Sequence, residues 1–339
     1  METHLRIRTV GRLLDFGVTT TNGEHAAVLA QRFHVYQRLG ALTRQEPHRE
    51  IAGAGTCASG SFTASSRQRP RMTFDDIGSW SEIKLEIIRK YAAAYSAILS
   101  AQRGLHHVYI DAFAGAGVHV ARSTGEYVAG SPINALLVQP PFKEYFLIDL
   151  APDRVASLRE IVGDRADVQI LSGDCNRLLL EEVFPRVRWE DYRRGLCLLD
   201  PYGLDLDWGV MATAGAMRSL EMFLNFPVLD MNRNVLWRDP ERVDRLDAER
   251  MTRFWGDDSW RRVMYSTEGN LFGWEEKAGD NDTIARAFQA RLKAVAGFKH
   301  VPEPLPMRNS RGNIVYYLFF ASQNTTGDKI VNDIFKKYR

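Results

Sequence analysis

His107-Val108-Tyr109-Ile110-Asp111-Ala112-Phe113-Ala114-Gly115-Ala116-Gly117 is the stretch that decides how this chain folds. His107 to Ala112 reads as a short apolar strand, and directly after an acid it enters a Gly-x-Gly turn. Glycine adds no Cβ, so the backbone at Gly115 and Gly117 can come close to a ligand. The spacing differs from the G-x-G-x-x-G of nicotinamide-binding enzymes, because Val120 stands three positions after Gly117. No helix follows the second glycine directly, which argues against a pyrophosphate seated on a helix N-terminus. The plainer alternative is a tight strand-to-loop turn that holds nothing.

Working outward, Ser79–Leu99 carries Ile83, Ile87, Tyr91, Tyr95 and Ile98 near helical spacing and predicts an amphipathic helix. Residues 118–130 read as a loop. Ser131-Pro132 then opens a helix, with the serine as N-cap and the proline in the first helical position; it ends near Pro140-Pro141. Four further strands are expected at Tyr145–Asp149, Val168–Leu171, Leu196–Leu199 and Met222–Phe226. Helices are expected between them: one through Val155, Leu158 and Ile161, one at Arg177–Phe184 and one at Trp208–Leu220. This alternation predicts a parallel sheet with helices on both faces. Residues 229–274 are rich in Trp, Arg and Asp and read as mostly helical, an insertion after the fifth strand spanning about 229–282. A helix at Thr283–Ala296 follows. Two strands, Phe298–Met307 and Ile314–Ser322, then make an antiparallel closing pair, and a helix at Asp328–Tyr338 ends the chain. The expected fold class is α/β, a Rossmann-like, mostly parallel sheet with an antiparallel closing strand.

Acids recur at the strand ends. Asp149 ends the second strand, where an acid in Rossmann-like sites accepts hydrogen bonds from ribose hydroxyls; an acid in a surface turn is the alternative. Asp174 follows the third strand, with Asn176 beside it as a candidate helix N-cap. Asp200-Pro201-Tyr202-Gly203 follows the fourth. The register of Asp111, Asp149 and Asp174 says more than each residue alone.

The D-x-F-A-G-x-G form of 111–117 resembles the first motif of S-adenosylmethionine-dependent methyltransferases, particularly those acting on nucleobases. That resemblance implies a cofactor held by Asp111, Phe113, Ala114, Gly115 and Gly117, with Asp149 at the ribose and Asp174 near the adenine amino group. Asp200-Pro201-Tyr202-Gly203 resembles the Asp/Asn-Pro-Pro-Tyr/Phe motif of amino-directed nucleobase methyltransferases. It has one proline rather than two, and is closer to the Asp-Pro-Phe-Gly form of tRNA guanine-N2 dimethyltransferases. The implied catalytic set is Asp200, Pro201 and Tyr202: carboxylate and carbonyl accept hydrogen bonds from an exocyclic amine while the ring stacks on the base. Positioning and electrostatics would then supply most of the rate.

From about Trp80 onward, YIDAFAGAG, GSPINALL, YFLIDL, GDCNRLL, LLDPYGLDLDW, FPVLDMNR and MRNSRGNIVYYLFFAS…GDKI together resemble the three-Cys-motif partner (TcmP) family. The resemblance implies a methyltransferase-like fold and a separate three-cysteine partner protein. Two functions stay open. One is a methyltransferase acting on a nucleobase amino group in RNA or DNA. The other is a non-catalytic module of the same fold that regulates the partner, which the single proline favours.

Composition sets the frame. The chain has 339 residues, 45% of them apolar and 25% charged, as in ordinary soluble proteins. No apolar run approaches the ~18 residues of a membrane span. The net charge of +2 does not advertise a polyanionic partner, although a local basic patch would be enough. Cys57, Cys175 and Cys197 are scattered without metal-ligand spacing, which points to a reducing cytoplasm and to no bound metal. The segment 1–71 holds ten arginines, no lysine and five acidic residues, net +5, leaving −3 for the rest; the first lysine is Lys84. Its end, AGAGTCASGSFTASSRQRPR, has little to bury and is expected to be disordered. Three readings compete for this segment: a nucleic-acid-contacting arm, a targeting peptide, or an upstream start with Met72 as the true beginning. A short helix over Gly23–Leu42 is expected within it, and the methyltransferase-like domain is expected over 72–339. Trp237, Trp255, Trp260 and Trp274, interleaved with Arg233, Arg238, Arg253, Arg261 and Arg262, read mainly as buried aromatics, with a base-stacking surface as the alternative.

Overall fold

The computed structural model describes residues 7–9, 12–14, 75–268 and 274–339. The expected helix over Gly23–Leu42, Cys57 and Met72 lie outside the described residues. In chain order the elements begin with β1 (Ile7–Thr9), β2 (Arg12–Leu14), β3 (Asp75–Ile77), α1 (Ser79–Ser100) and β4 (His106–Asp111). They continue with β5 (Val118–Ala121), β6 (Tyr127–Ala129), α2 (Ser131–Leu136), β7 (Glu144–Asp149), α3 (Pro152–Val162), β8 (Val168–Ser172) and α4 (Cys175–Leu178). Next come β9 (Arg193–Leu199), α5 (Trp208–Met217), β10 (Leu220–Phe226), α6 (Val228–Asn234), α7 (Arg245–Trp255) and α8 (Trp260–Met264). The two-residue strands β11 (Tyr265–Ser266) and β12 (Glu276–Lys277) precede α9 (Asn281–Ala294), β13 (Leu305–Arg308), β14 (Ile314–Ala321) and α10 (Thr325–Phe335).

Seven strands form the central sheet in the order β13-β14-β10-β9-β4-β7-β8. The five from β8 to β10 pair in parallel, while β14 runs antiparallel to both β10 and β13. Each inner strand is apolar on both faces. Val108 and Ile110 of β4 join one core with Phe146, Ile148, Cys197, Leu199, Met222 and Leu224. The alternate residues Tyr109, Tyr145, Leu147, Leu196, Leu198 and Phe223 join the other. Period-2 side chains with both faces covered give the continuous apolar runs of a doubly wound sheet. Helices α1, α2, α3 and α10 cover the second face, and α4 through α9 the first. This is the Rossmann-like methyltransferase arrangement expected from the sequence. At β4 the strand order reverses, with β7 on one side and β9 on the other; ligands of open α/β sheets bind outside the carboxyl ends of the strands at such a switch point.

Several expectations are corrected. Residues 118–130 are not a loop: β5 and β6 pair antiparallel as a hairpin, Val118 opposite Ala129, with β3 parallel to β5 and β1 parallel to β6. Gly130, not Ser131, caps α2. The strand expected from Phe298 begins only at Leu305, because Pro302 and Pro304 lack N–H donors; before it, His300 makes an isolated bridge to Ser322. Of the stripe expected on α1, Ile87, Tyr91 and Tyr95 are buried whereas Ile98 is exposed, and Lys84 and Ile88 are buried with them. In the insertion, Trp255 and Trp260 are core, whereas Trp237 and Trp274 are exposed. No helix among the described residues is long and apolar enough to cross a membrane.

Candidate functional site

The turn after β4 is built around two buried acids. Asp111 is fully buried at the end of β4, where Phe113 N–H donates to Oδ1 at 3.2 Å and the Tyr109 hydroxyl to Oδ2 at 3.4 Å, with Ser131 beside the carboxyl. Burial pushes its carboxyl up from the usual range to about 7, since water no longer stabilises the anion. Asp149, at the end of the neighbouring β7, accepts from Gly115 N–H at 2.8 Å through Oδ2 and from Ala151 N–H at 2.9 Å through Oδ1. One carboxylate thus ties the glycine turn to the second strand, and each oxygen keeps a lone pair. Ala114 N–H donates to Ile148 C=O at 2.8 Å, and Phe113 packs on the first core.

The two glycines differ in use. Gly115 has φ +64°, and a Cβ there would meet nothing within 4 Å, so its left-handed backbone faces open space. Gly117 has φ +86°, and a Cβ would lie 2.9 Å from Leu158 Cδ1, so it seats the turn on α3. The hairpin returns to this point, with Gly130 N–H donating to Gly117 C=O at 2.8 Å. That closure accounts for the long spacing from Gly117 to Asp149: the extra residues are a hairpin that leaves and rejoins the turn.

Asp174 is exposed and caps α4, accepting from Asn176 N–H at 3.0 Å. Asn176 instead clips the loop after β9, donating to Asp205 C=O at 2.9 Å and accepting from Asp207 N–H at 2.8 Å.

Asp200 lies beyond β9 and each of its carboxylate oxygens is held. Its Oδ2 is ion-paired with Lys84 of α1, whose side chain is only 9% exposed. Asn225 of β10 donates through Nδ2 to Asp200 Oδ1 at 2.9 Å and to Pro201 C=O at 3.2 Å. Asn225 Oδ1 is buried without a hydrogen-bond partner among the described residues. Lys84 Nζ also stands 5.4 Å from the Tyr316 ring centroid, and the Tyr316 hydroxyl donates to Trp80 C=O at 3.3 Å. Tyr202 is 72% exposed, with the Arg154 guanidinium of α3 5.6 Å from its ring centroid. Asp230 shapes the rest of the turn, accepting from Leu204 N–H at 3.2 Å and lying where a Cβ on Gly203 would meet it at 2.8 Å.

The structure therefore brings Asp111, Gly115, Gly117 and Asp149 into one turn, and Asp200 and Pro201 onto Asn225. Lys84, Asn225, Ser131 and Tyr316 were not among the residues expected at the site. Lys84 carried a signal, since it is the first lysine in the chain and falls in the apolar stripe of α1. Asn225 stood out too, as an amide within the otherwise apolar run Met222–Phe226.

The strand order, five parallel strands closed by an antiparallel β14, defines a methyltransferase-type α/β fold. No protein-family model matches the chain, and no curated protein does. Among solved structures it is similar to a Legionella pneumophila protein, at 12% identity over 75% of this chain and 92% of that one, with a TM-score of 0.42. It is also similar to a candidate methyltransferase of Thermobifida fusca, at 13% identity over 73% and 84%, TM-score 0.34. A candidate S-adenosylmethionine-dependent methyltransferase of Listeria monocytogenes gives 10% identity over 69% and 98%, TM-score 0.34. At these scores the likenesses add no argument, and the fold rests on its own topology.

Proposed function

We propose that the chain is an S-adenosylmethionine-dependent methyltransferase acting on an amino group of a nucleobase in RNA or DNA. The observation that carries this is the Asp149–Gly115 clasp at the switch point, where a left-handed glycine faces open space. Asp111, Phe113, Ala114, Gly115 and Gly117 would line the cofactor's amino-acid end, Asp149 would accept from ribose hydroxyls, and Asp174 would face the adenine. When bound, the cofactor supplies a sulfonium methyl to a nucleophilic nitrogen.

The chain's own residues would hold that nitrogen. Asp200 Oδ1, Pro201 C=O and the unpartnered Asn225 Oδ1 are three acceptors in one corner, suited to the N–H groups of an exocyclic amine. Lys84 fixes the rotation of the Asp200 carboxylate from the far side. Tyr202 offers an exposed ring for stacking on an extruded base. The resemblance to the TcmP family adds a three-cysteine partner protein to this reading.

A second reading has its own observation. Both oxygens of Asp200 and the Pro201 carbonyl already accept hydrogen bonds within the chain. A non-catalytic module regulating the partner would have such a self-satisfied motif.

Calorimetric titration of S-adenosylmethionine and S-adenosylhomocysteine separates these. The enzyme reading expects micromolar binding that is lost in Asp149→Ala. It also expects tritiated-methyl transfer to RNA or DNA that is lost in Asp200→Ala while cofactor binding survives. No cofactor binding by folded protein would remove the enzyme reading. Binding without transfer, with a stable complex on co-expression, would favour the module.

A further inference from the structure

A cavity of about 530 Å³ opens at the ends of the strands opposite the candidate site, between α1, the start of β9 and β10, and the first turn of α10. Arg194 lies at the start of β9 and Asp200 just beyond its end, which puts the two sites about 20 Å apart along an extended strand. The volume is within the usual range for small-ligand sites, about 300–1,000 Å³.

Its lining has a consistent chemistry. Arg103 and Arg218 reach it without any ion pair or side-chain hydrogen bond among the described residues. Arg194 sits over Trp189, its guanidinium carbon 3.3 Å from the ring centroid, and Trp189 remains 48% exposed. Tyr192, 66% exposed, presents a second ring on the rim. At the base the buried Tyr95 has no hydrogen-bond partner for its hydroxyl among the described residues. The acid of the cavity, Glu221, is already taken by the hydroxyls of Tyr91 and Ser322. Free charge here is positive and free surface is aromatic.

The backbone gives an independent sign. Among the described residues only two non-glycine positions have a left-handed backbone, Tyr192 at φ 55° and Arg218 at φ 60°. Both line this cavity. Each conformation costs a side-chain-bearing residue about 1–2 kcal/mol. Glycine would relieve that cost, so the chain bears it where a ring and a guanidinium are displayed.

We infer that this cavity binds a nucleotide, with Arg103 and Arg218 on the phosphate and Trp189 and Tyr192 stacking on the base. The nucleotide is either free or one unit of an RNA strand. This inference does not depend on the methyl-transfer reading.

The test is titration of the full chain with AMP, GMP, inorganic phosphate and a short single-stranded RNA, each with S-adenosylhomocysteine in excess to occupy the candidate site. Arg218→Gly and Trp189→Ala are the variants; the first relaxes a left-handed position and should fold at least as well as the parent. The expected result is nucleotide binding with a Kd of about 10–100 μM, weakened about tenfold or more by each variant. Binding of mononucleotides marks a free nucleotide as the ligand, and binding of the RNA alone marks a strand. Either supports the site if both variants lose it. The proposal is overturned if nothing binds at about 1 mM, if the variants bind as the parent does, or if phosphate alone binds as tightly as a nucleotide. Should S-adenosylhomocysteine itself fail to bind, the variants still report on this cavity alone.

Discussion

Among single residues, Asp111 links the site most directly to a measurable property. Its carboxyl is raised from 3.8 to about 7 by burial. Between roughly pH 4 and pH 7 the folded chain keeps this proton while the unfolded chain has released it. Stability therefore falls as pH rises through that window, and the contribution is gone above about pH 7. Glu221, raised to about 7 by the same cause, adds a loss of the same sign. Asp111→Asn keeps the acceptor that Phe113 N–H uses but cannot ionise. Its melting temperature relative to the parent is expected to rise from pH 5 to pH 8, the difference corresponding to about 2–4 kcal/mol. The difference between two proteins isolates Asp111 from Glu221. A gap that stays constant from pH 5 to pH 8 would mean that Asp111 is ionised in the folded chain throughout.

At the scale of elements, the strands were legible where both faces are buried. Runs such as Val108–Ile110, Tyr145–Ile148 and Leu196–Leu199 have no polar position to mislead the eye, and the acids that end them mark the carboxyl edge. The hairpin at 118–129 was not legible, because its strands have four and three residues and His119 and Tyr127 interrupt the apolar pattern. Lys84 and Asn225 were missed for a related reason: a polar residue in an apolar stripe shows its purpose only when its partner arrives from elsewhere in the chain. In α1 that partner is Asp200, 116 residues away. Helix seating has a similar hidden dependence at Gly215 of α5. A Cβ there would lie 1.9 Å from Ala296 C=O, a backbone atom that cannot rotate aside. Gln323 Nε2 donates to Gly215 C=O at 3.1 Å and Gly297 C=O at 2.8 Å, pinning the same crossing. Gly215→Ala is therefore expected to destabilise by about 3 kcal/mol through overpacking, read as a lower urea midpoint at unchanged slope. An unchanged midpoint would mean that α5 does not pack at this distance.

At the scale of the whole molecule, α1 and β9 each span both sites. Lys84 grips Asp200 at one end of α1, and Tyr91 and Tyr95 floor the nucleotide cavity toward the other. Whether the two ends act independently is a thermodynamic question with a direct readout. A ligand that binds only the folded state stabilises it by about 2.7 kcal/mol at a hundred times its Kd. For a domain of this size that raises the melting temperature by about 4–5 °C. S-adenosylhomocysteine and a nucleotide, each given alone, should produce rises of that order, the first lost in Asp149→Ala and the second in Arg218→Gly. Sites this far apart that share no contact are expected to add within about 0.5 kcal/mol, so both ligands together should give close to the sum. A combined rise no larger than either alone would mean that both ligands compete for the candidate site, and would collapse the two sites into one. A combined rise well above the sum would instead make α1 a coupling element: filling one end would hold Lys84 or Tyr95 in the position that the other end requires.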